Sequence, residues 1–174
     1  FSAGLDVSGM GSSALSDFPD QAFKGLMGTP ANRFQHPVWV WHAMQIPVVA
    51  VLEGICFGGG FQIASGADIR IAAPDARLSI MESKWGRVPD RGMAGVLRGV
   101  VRRDVLKRLS WTSEIIDAQA AADHGLVSEV SDAPMDAAMA LAKTLTARSP
   151  DAVRAIKTLI DTACDAAPET ALKI

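Results

Sequence analysis

Three consecutive glycines, Gly58 to Gly60, stand between the β-branched run Ile46–Leu52 ("IPVVAVL") and a short stretch, 59–66, that reads as a helix. Glycine loses more backbone freedom on ordering than any other residue, so a triplet needs a compensating use. The run before it suits a strand buried on both faces, as in parallel sheets flanked by helices. Three uses of the glycines can be weighed at this junction. A dinucleotide fingerprint fits poorly, because the spacing is G-x-x-x-G-G-G rather than G-x-G-x-x-G and the helix is too short for an ordinary crossover. A crowded strand–helix contact would choose glycine for its lack of bulk. An anion site would use the free N–H groups at the start of helix 59–66.

The flanking segments predict alternating strands and helices. Residues 32–44 read as a helix with Pro37 early in it or at a bend, and 68–72 and 77–82 read as strands. Segments 93–101 and 103–109 are helical, and a further helix starts near Asp117, closes at Gly125 and leads into a strand at 126–130. The tail carries two amphipathic helices, 135–147 and 150–165, with Pro150 in the first turn of the second. Residues 10–31, rich in Gly, Ser, Asp and Pro, read as a loop with a helical turn or two. Together these imply an α/β fold with a helical tail.

At 174 residues the chain suits one domain, and 17 basic against 19 acidic residues make no electrostatic case for nucleic acid. Its apolar runs are too short for a membrane span, and no signal peptide is visible. Cys56 and Cys164 form no motif, which points to a reducing, cytoplasmic setting.

Four blocks occur in one characteristic order: "FSAGLD" at 1–6, "GICFGGGFQIASGADIRIAA" at 54–73, "ARLSIMESKWGRVPD" at 76–90 and "SEIIDAQAAADHGLVSEV" at 113–130. In these blocks the chain resembles the crotonase, or enoyl-CoA hydratase/isomerase, superfamily. The resemblance implies a ββα spiral core over residues 1–132 and a C-terminal α-helical region over 133–174. It also implies that N-terminal residues and a final helix are missing from this chain. The implied substrate is an acyl-CoA thioester of fatty acid metabolism. No metal and no cofactor are implied, coenzyme A entering only with the substrate. The implied assembly is a homotrimer or a dimer of trimers.

By position, the resemblance puts the thioester oxygen between the backbone N–H groups of Ala3 and Gly59, with Gly4, Leu5, Asp6, Gly58 and Gln62 also at the substrate. Asp6 would stabilise the turn beside the CoA-binding loop. The chemistry is sound in itself. Proton transfer next to a thioester puts negative charge on its oxygen, and two preorganised N–H donors stabilise that enolate more than the neutral ground state. On this reading, bare backbone at Gly58 and Gly59 lets the thioester come within hydrogen-bond reach.

The resemblance places one hydratase carboxylate at Gln62, an amide that cannot exchange protons but can order the pocket. The other falls on Glu82. Asp90 matches an acid of the dienoyl-CoA isomerase branch. Each has a plainer reading: Glu82 at a strand end could pair with Lys84 or Arg87, and Asp90 could cap a helix starting near Arg91. Asp68 reads as structural, bonded near its strand start. His36 and His42 lack metal-site spacing, and His124 sits at a helix end, where the dipole favours it. Trp39, Trp41 and Trp85 could line an acyl pocket, though core positions fit them as well.

Isomerisation of an enoyl-CoA double bond through Glu82 is the simplest chemistry for one carboxylate. Hydration, with Gln62 positioning a water and Asp90 supplying the second proton, is the alternative. A catalytically weak acyl-CoA-binding or scaffolding protein is a third.

Overall fold

In a computed structural model, described over residues 1–4, 24–26, 28–164 and 166–173, short strands and helices alternate as the sequence predicts. Along the chain these are α1 (His36–Ala43), β1 (Val49–Leu52), β2 (Ile55–Phe57), α2 (Gly59–Ser65), β3 (Ile69–Ala72), β4 (Arg77–Ser79), a 3-10 turn at Glu82–Trp85 and α3 (Met93–Val96). There follow α4 (Arg103–Thr112), β5 (Ile116–Asp117), α5 (Ala118–Asp123), β6 (Glu129–Val130), α6 (Pro134–Thr146), α7 (Pro150–Ala163) and α8 (Pro168–Ala171).

The strands form two three-stranded sheets. In one, β1, β3 and β6 run parallel in the order β1-β3-β6, with Val49 opposite Ile69 and Ile71 opposite Glu129. In the other, β4 is central, parallel to β2 and antiparallel to β5. Phe61, Leu78, Ile80, Met93, Leu97 and Leu126 belong to one hydrophobic core at 1–2% exposure. Each such side chain contributes about 1.5–3 kcal/mol by leaving water.

Among the described residues, Arg70 on β3 is the one buried charged side chain, at 4% exposure. Its guanidinium donates to the carbonyls of Leu126 at 2.7 Å, Ala67 at 2.6 Å and Ser65 at 3.4 Å. Those acceptors offset the cost of burying the charge. Burial is also what lowers its pKa, with Asp68 working against that effect.

Proline and cap residues start α5 and α7 where the sequence places them, whereas α1 starts at His36 and not at 32, because Pro37 occupies its first turn. Pro37 lies in the first turn of α1, Asp117 accepts from Ala120 N–H at 2.8 Å ahead of α5, and Gly125 follows α5 at φ 76°. Pro150 opens α7, capped by Ser149.

Four further local readings are corrected. The strand at 77–82 ends at Ser79, because Met81 turns to αR and starts the 3-10 turn, so Glu82 stands on that turn and not on a strand. β2 (Ile55–Phe57) was not among the strands read from the sequence. The helix expected over 93–101 is four residues long, followed by turns. β1 is not buried on both faces: Val49, Ala50 and Val51 are half-exposed.

Ser113, at the end of α4, has φ 51° and is the one non-glycine residue with positive φ among the described residues. That conformation costs an L-residue about 1–2 kcal/mol.

Candidate active site

β2 delivers the chain to Gly58, whose φ of 51° and ψ of −121° suit glycine. Its N–H donates to the Ser79 carbonyl at 2.9 Å, which ties the junction to β4. In α2, Gln62 N–H is the first to reach back, to Gly58 C=O at 3.0 Å. The Gly59 N–H precedes that ladder and has no acceptor among the described residues.

Residues 1–4 lie along the other edge of β2. Ser2 N–H donates to Ile55 C=O and Phe57 N–H donates to Ser2 C=O, both at 2.9 Å, while the N-terminal amine donates to the Glu53 carbonyl. Backbone groups alternate along an extended segment, so the Ala3 amide is not consumed by this pairing. A Cβ added to Gly4 would stand 3.0 Å from Gly59 N, so the two sequence blocks meet at this point. A Cβ on Gly60 would stand 2.7 Å from Ser2 Cβ, so the plain packing use of glycine accounts for the last of the triplet.

Glu82 faces the same junction. Its carboxylate Oε1 lies 3.5 Å from where a Gly58 Cβ would be. Gln62, 1% exposed, donates from Nε2 to Glu82 Oε1 at 2.5 Å and accepts at Oε1 from Arg91 N–H at 3.0 Å. A backbone N–H can only donate, so it fixes which way the amide faces. The Gln62 NH₂ group therefore points at Glu82, and Glu82 Oε1 is held as an acceptor. The other oxygen, Oε2, is buried and has no hydrogen-bond partner among the described residues.

The ion pairs of Glu82 with Lys84 or Arg87 expected from sequence are not formed. Asp90 does not cap a helix, since α3 is preceded by Gly92. Asp90 is exposed and makes no bond to Glu82 or Gln62. Leu5 and Asp6 lie outside the described residues.

Arg91 was not singled out from sequence. Its Nε would stand 3.2 Å from a Gly59 Cβ, so its guanidinium lies over the middle glycine. No signal in "VPDRGM" shows that this side chain turns back to Gly59. Cys56, two residues before Gly58, is no nucleophile: burial pushes its thiol up to about 12.

Other candidates fall away from this junction. Asp68 is bonded at its strand start, accepting from Val48 N–H at 2.7 Å, and pairs with Lys157 at 2.8 Å. His124 caps the C-terminus of α5 and His42 lies against Trp39. The three tryptophans named from sequence are not core residues; Trp41 and Trp85 are exposed at 39% and 53%. No group of metal-ligating side chains forms among the described residues. No described helix is long and apolar enough to cross a membrane. A separate cavity of about 620 Å³ opens between the first sheet and α7, lined by Val49, Ile69, Arg70, Leu141, Val153 and Lys157 among others. Glu82 and Gln62 do not line it.

Comparison with known proteins shows the family. A family model described as "Enoyl-CoA hydratase/isomerase" matches residues 1–174. The chain is 31% identical over 163 residues to the mitochondrial Delta(3,5)-Delta(2,4)-dienoyl-CoA isomerase of Mus musculus, covering 90% of this chain and 50% of that protein. It is 34% identical over 163 residues to the carnitinyl-CoA dehydratase of Citrobacter koseri, covering 90% and 57%. Among solved structures, a putative enoyl-CoA hydratase from Thermobifida fusca in complex with acetoacetyl-CoA superposes with a TM-score of 0.74 at 33% identity, covering 80% of this chain and 55% of that one. The chain thus spans about half the length of the curated relatives it matches.

Proposed function

The chain belongs to the enoyl-CoA hydratase/isomerase family and has its α/β crotonase fold, and from that premise we propose that it moves the double bond of an enoyl-CoA thioester through Glu82. In this reading the thioester oxygen lies between the N–H groups of Ala3 and Gly59, beside Gly4 and Gly58. Glu82 Oε2 removes a proton from C2 of a 3-enoyl-CoA, and the electron pair moves onto the thioester oxygen as an enolate. Both amides, with the Arg91 charge beside them, stabilise that oxygen more in the enolate than in the ground state. The same Oε2 then returns the proton to C4, and the C2=C3 bond forms as the thioester carbonyl is restored. Atoms and charge balance without a cofactor. Core residues 1–132 carry the chemistry in this reading, and the helices of 133–174 build contacts between copies in a trimer or a dimer of trimers.

The observation that supports isomerisation is the division of labour within one carboxyl group: Oε1 is held by Gln62 while Oε2 is buried and unpartnered. Two carboxylates holding one water, the hydratase pattern the resemblance implies, are not present here, because the side chain touching Glu82 is an amide. The hydro-lyase reading keeps one specific support: the second Nε2 hydrogen of Gln62 can hold a water. Asp90, exposed, would then supply the second proton through solvent.

The test incubates the protein with 2-enoyl-, 3-enoyl- and dienoyl-CoA esters and follows double-bond position and water uptake. Migration of the bond without 3-hydroxyacyl-CoA is expected. Hydration would favour the hydro-lyase, and tight binding without turnover a binding or scaffolding role. Glu82→Gln should lower kcat by about 10²–10⁴-fold with CoA-ester affinity retained; unchanged turnover removes Glu82 from the mechanism.

A further inference from the structure

We propose that Ser113 is a positioning residue for Glu82, acting through the 3-10 turn that carries it; this rests on the catalytic reading of Glu82. A 3-10 turn has weaker hydrogen-bond geometry than an α-helix and needs outside support to hold one conformation. Ser113 supplies that support at several points. Its hydroxyl lies 2.7 Å from Ser83 Oγ and accepts from Lys84 N–H at 3.1 Å. Its carbonyl accepts from Ser79 Oγ at 3.1 Å, at the end of β4. Ser83 Oγ is also 3.2 Å from the Trp111 carbonyl on α4. The two residues following Glu82 are therefore held to the end of α4, while Gln62 holds the carboxylate from the other side.

The backbone of Ser113 argues that the hydroxyl is the reason for the residue. At φ 51° glycine would sit without strain, yet the chain places serine there. What serine adds over glycine is Cβ and the hydroxyl that meets Ser83 and Lys84. The turn backbone is thus fixed from behind, and Glu82 Oε2 keeps its direction without a hydrogen bond of its own.

The experiment compares Ser113→Gly, Ser113→Asn and Glu82→Gln with the wild type, measuring thermal midpoint, kcat and KM on a 3-enoyl-CoA ester, and amide hydrogen exchange at residues 83–86. Ser113→Gly should hold or raise the midpoint, because it removes the strained φ. It should also speed exchange at the Lys84 amide, lower kcat about tenfold and leave KM within about twofold. Asn tolerates this φ and offers a side-chain oxygen to Lys84 N–H, so Ser113→Asn should recover most of kcat. Wild-type kcat in Ser113→Gly, or a kcat loss that follows a lowered midpoint, overturns the proposal. If Glu82→Gln is inactive while Ser113→Gly is normal, only the positioning role falls. Full turnover by Glu82→Gln removes the catalytic reading and this role with it.

Discussion

At the scale of single residues, the amide at Gln62 decides how the carboxyl group of Glu82 can behave. Replacing that amide by a carboxylate, Gln62→Glu, would set two acids 2.5 Å apart, and two negative charges at that distance cannot both persist. One would hold a proton that Glu82 must lose before it acts as a base. The acid limb of the kcat–pH profile should therefore move upward by about one unit or more. An unmoved limb would show that the two side chains are not in contact during turnover. Glu82 and Gln62 were named from sequence only through the family resemblance, whose motif positions they occupy. Arg91 was not named, since the path of its side chain depends on the loop between the 3-10 turn and α3.

At the scale of elements, α5, α6 and α7, each opened by proline or a capping side chain, were legible within one or two residues, whereas α1 starts four residues after the expected 32. β2 was not legible: three residues between two positive-φ glycines leave no room for a periodic signal. Strand 77–82 was overextended because "RLSIME" keeps alternating after the backbone has left the sheet. Long-range anchoring was equally hidden. Lys157 of α7, 8% exposed at its side chain, pairs with Asp68 and donates to the carbonyls of Trp41 and Ile46. Lys157→Met would leave Asp68, 23% exposed, with only Val48 N–H as partner. Stability should fall by about 3 kcal/mol in urea titration, with little dependence on salt. A loss below about 0.5 kcal/mol would place the pair among ordinary surface contacts.

At the scale of the whole molecule, α7 leaves Ile156, Leu159 and Ile160 exposed at 54%, 45% and 54% on one side, at helical spacing. Amphipathicity was readable from the sequence; which surface would cover the apolar side was not, because intramolecular and intermolecular burial follow the same pattern. Under the proposed assembly, sedimentation should report a species heavier than the 18.3 kDa monomer, and Ile160→Glu should return it to monomer mass. A monomeric wild type would remove self-association from the reading. Arg70 gives the scaffold a different property. A guanidinium stays cationic across the physiological range, and all three of its acceptors are main-chain carbonyls that never titrate. The rivet joining the end of α2 to the segment after α5 is therefore indifferent to acidity, so the framework can stay constant while any proton transfer at the proposed site responds to the medium.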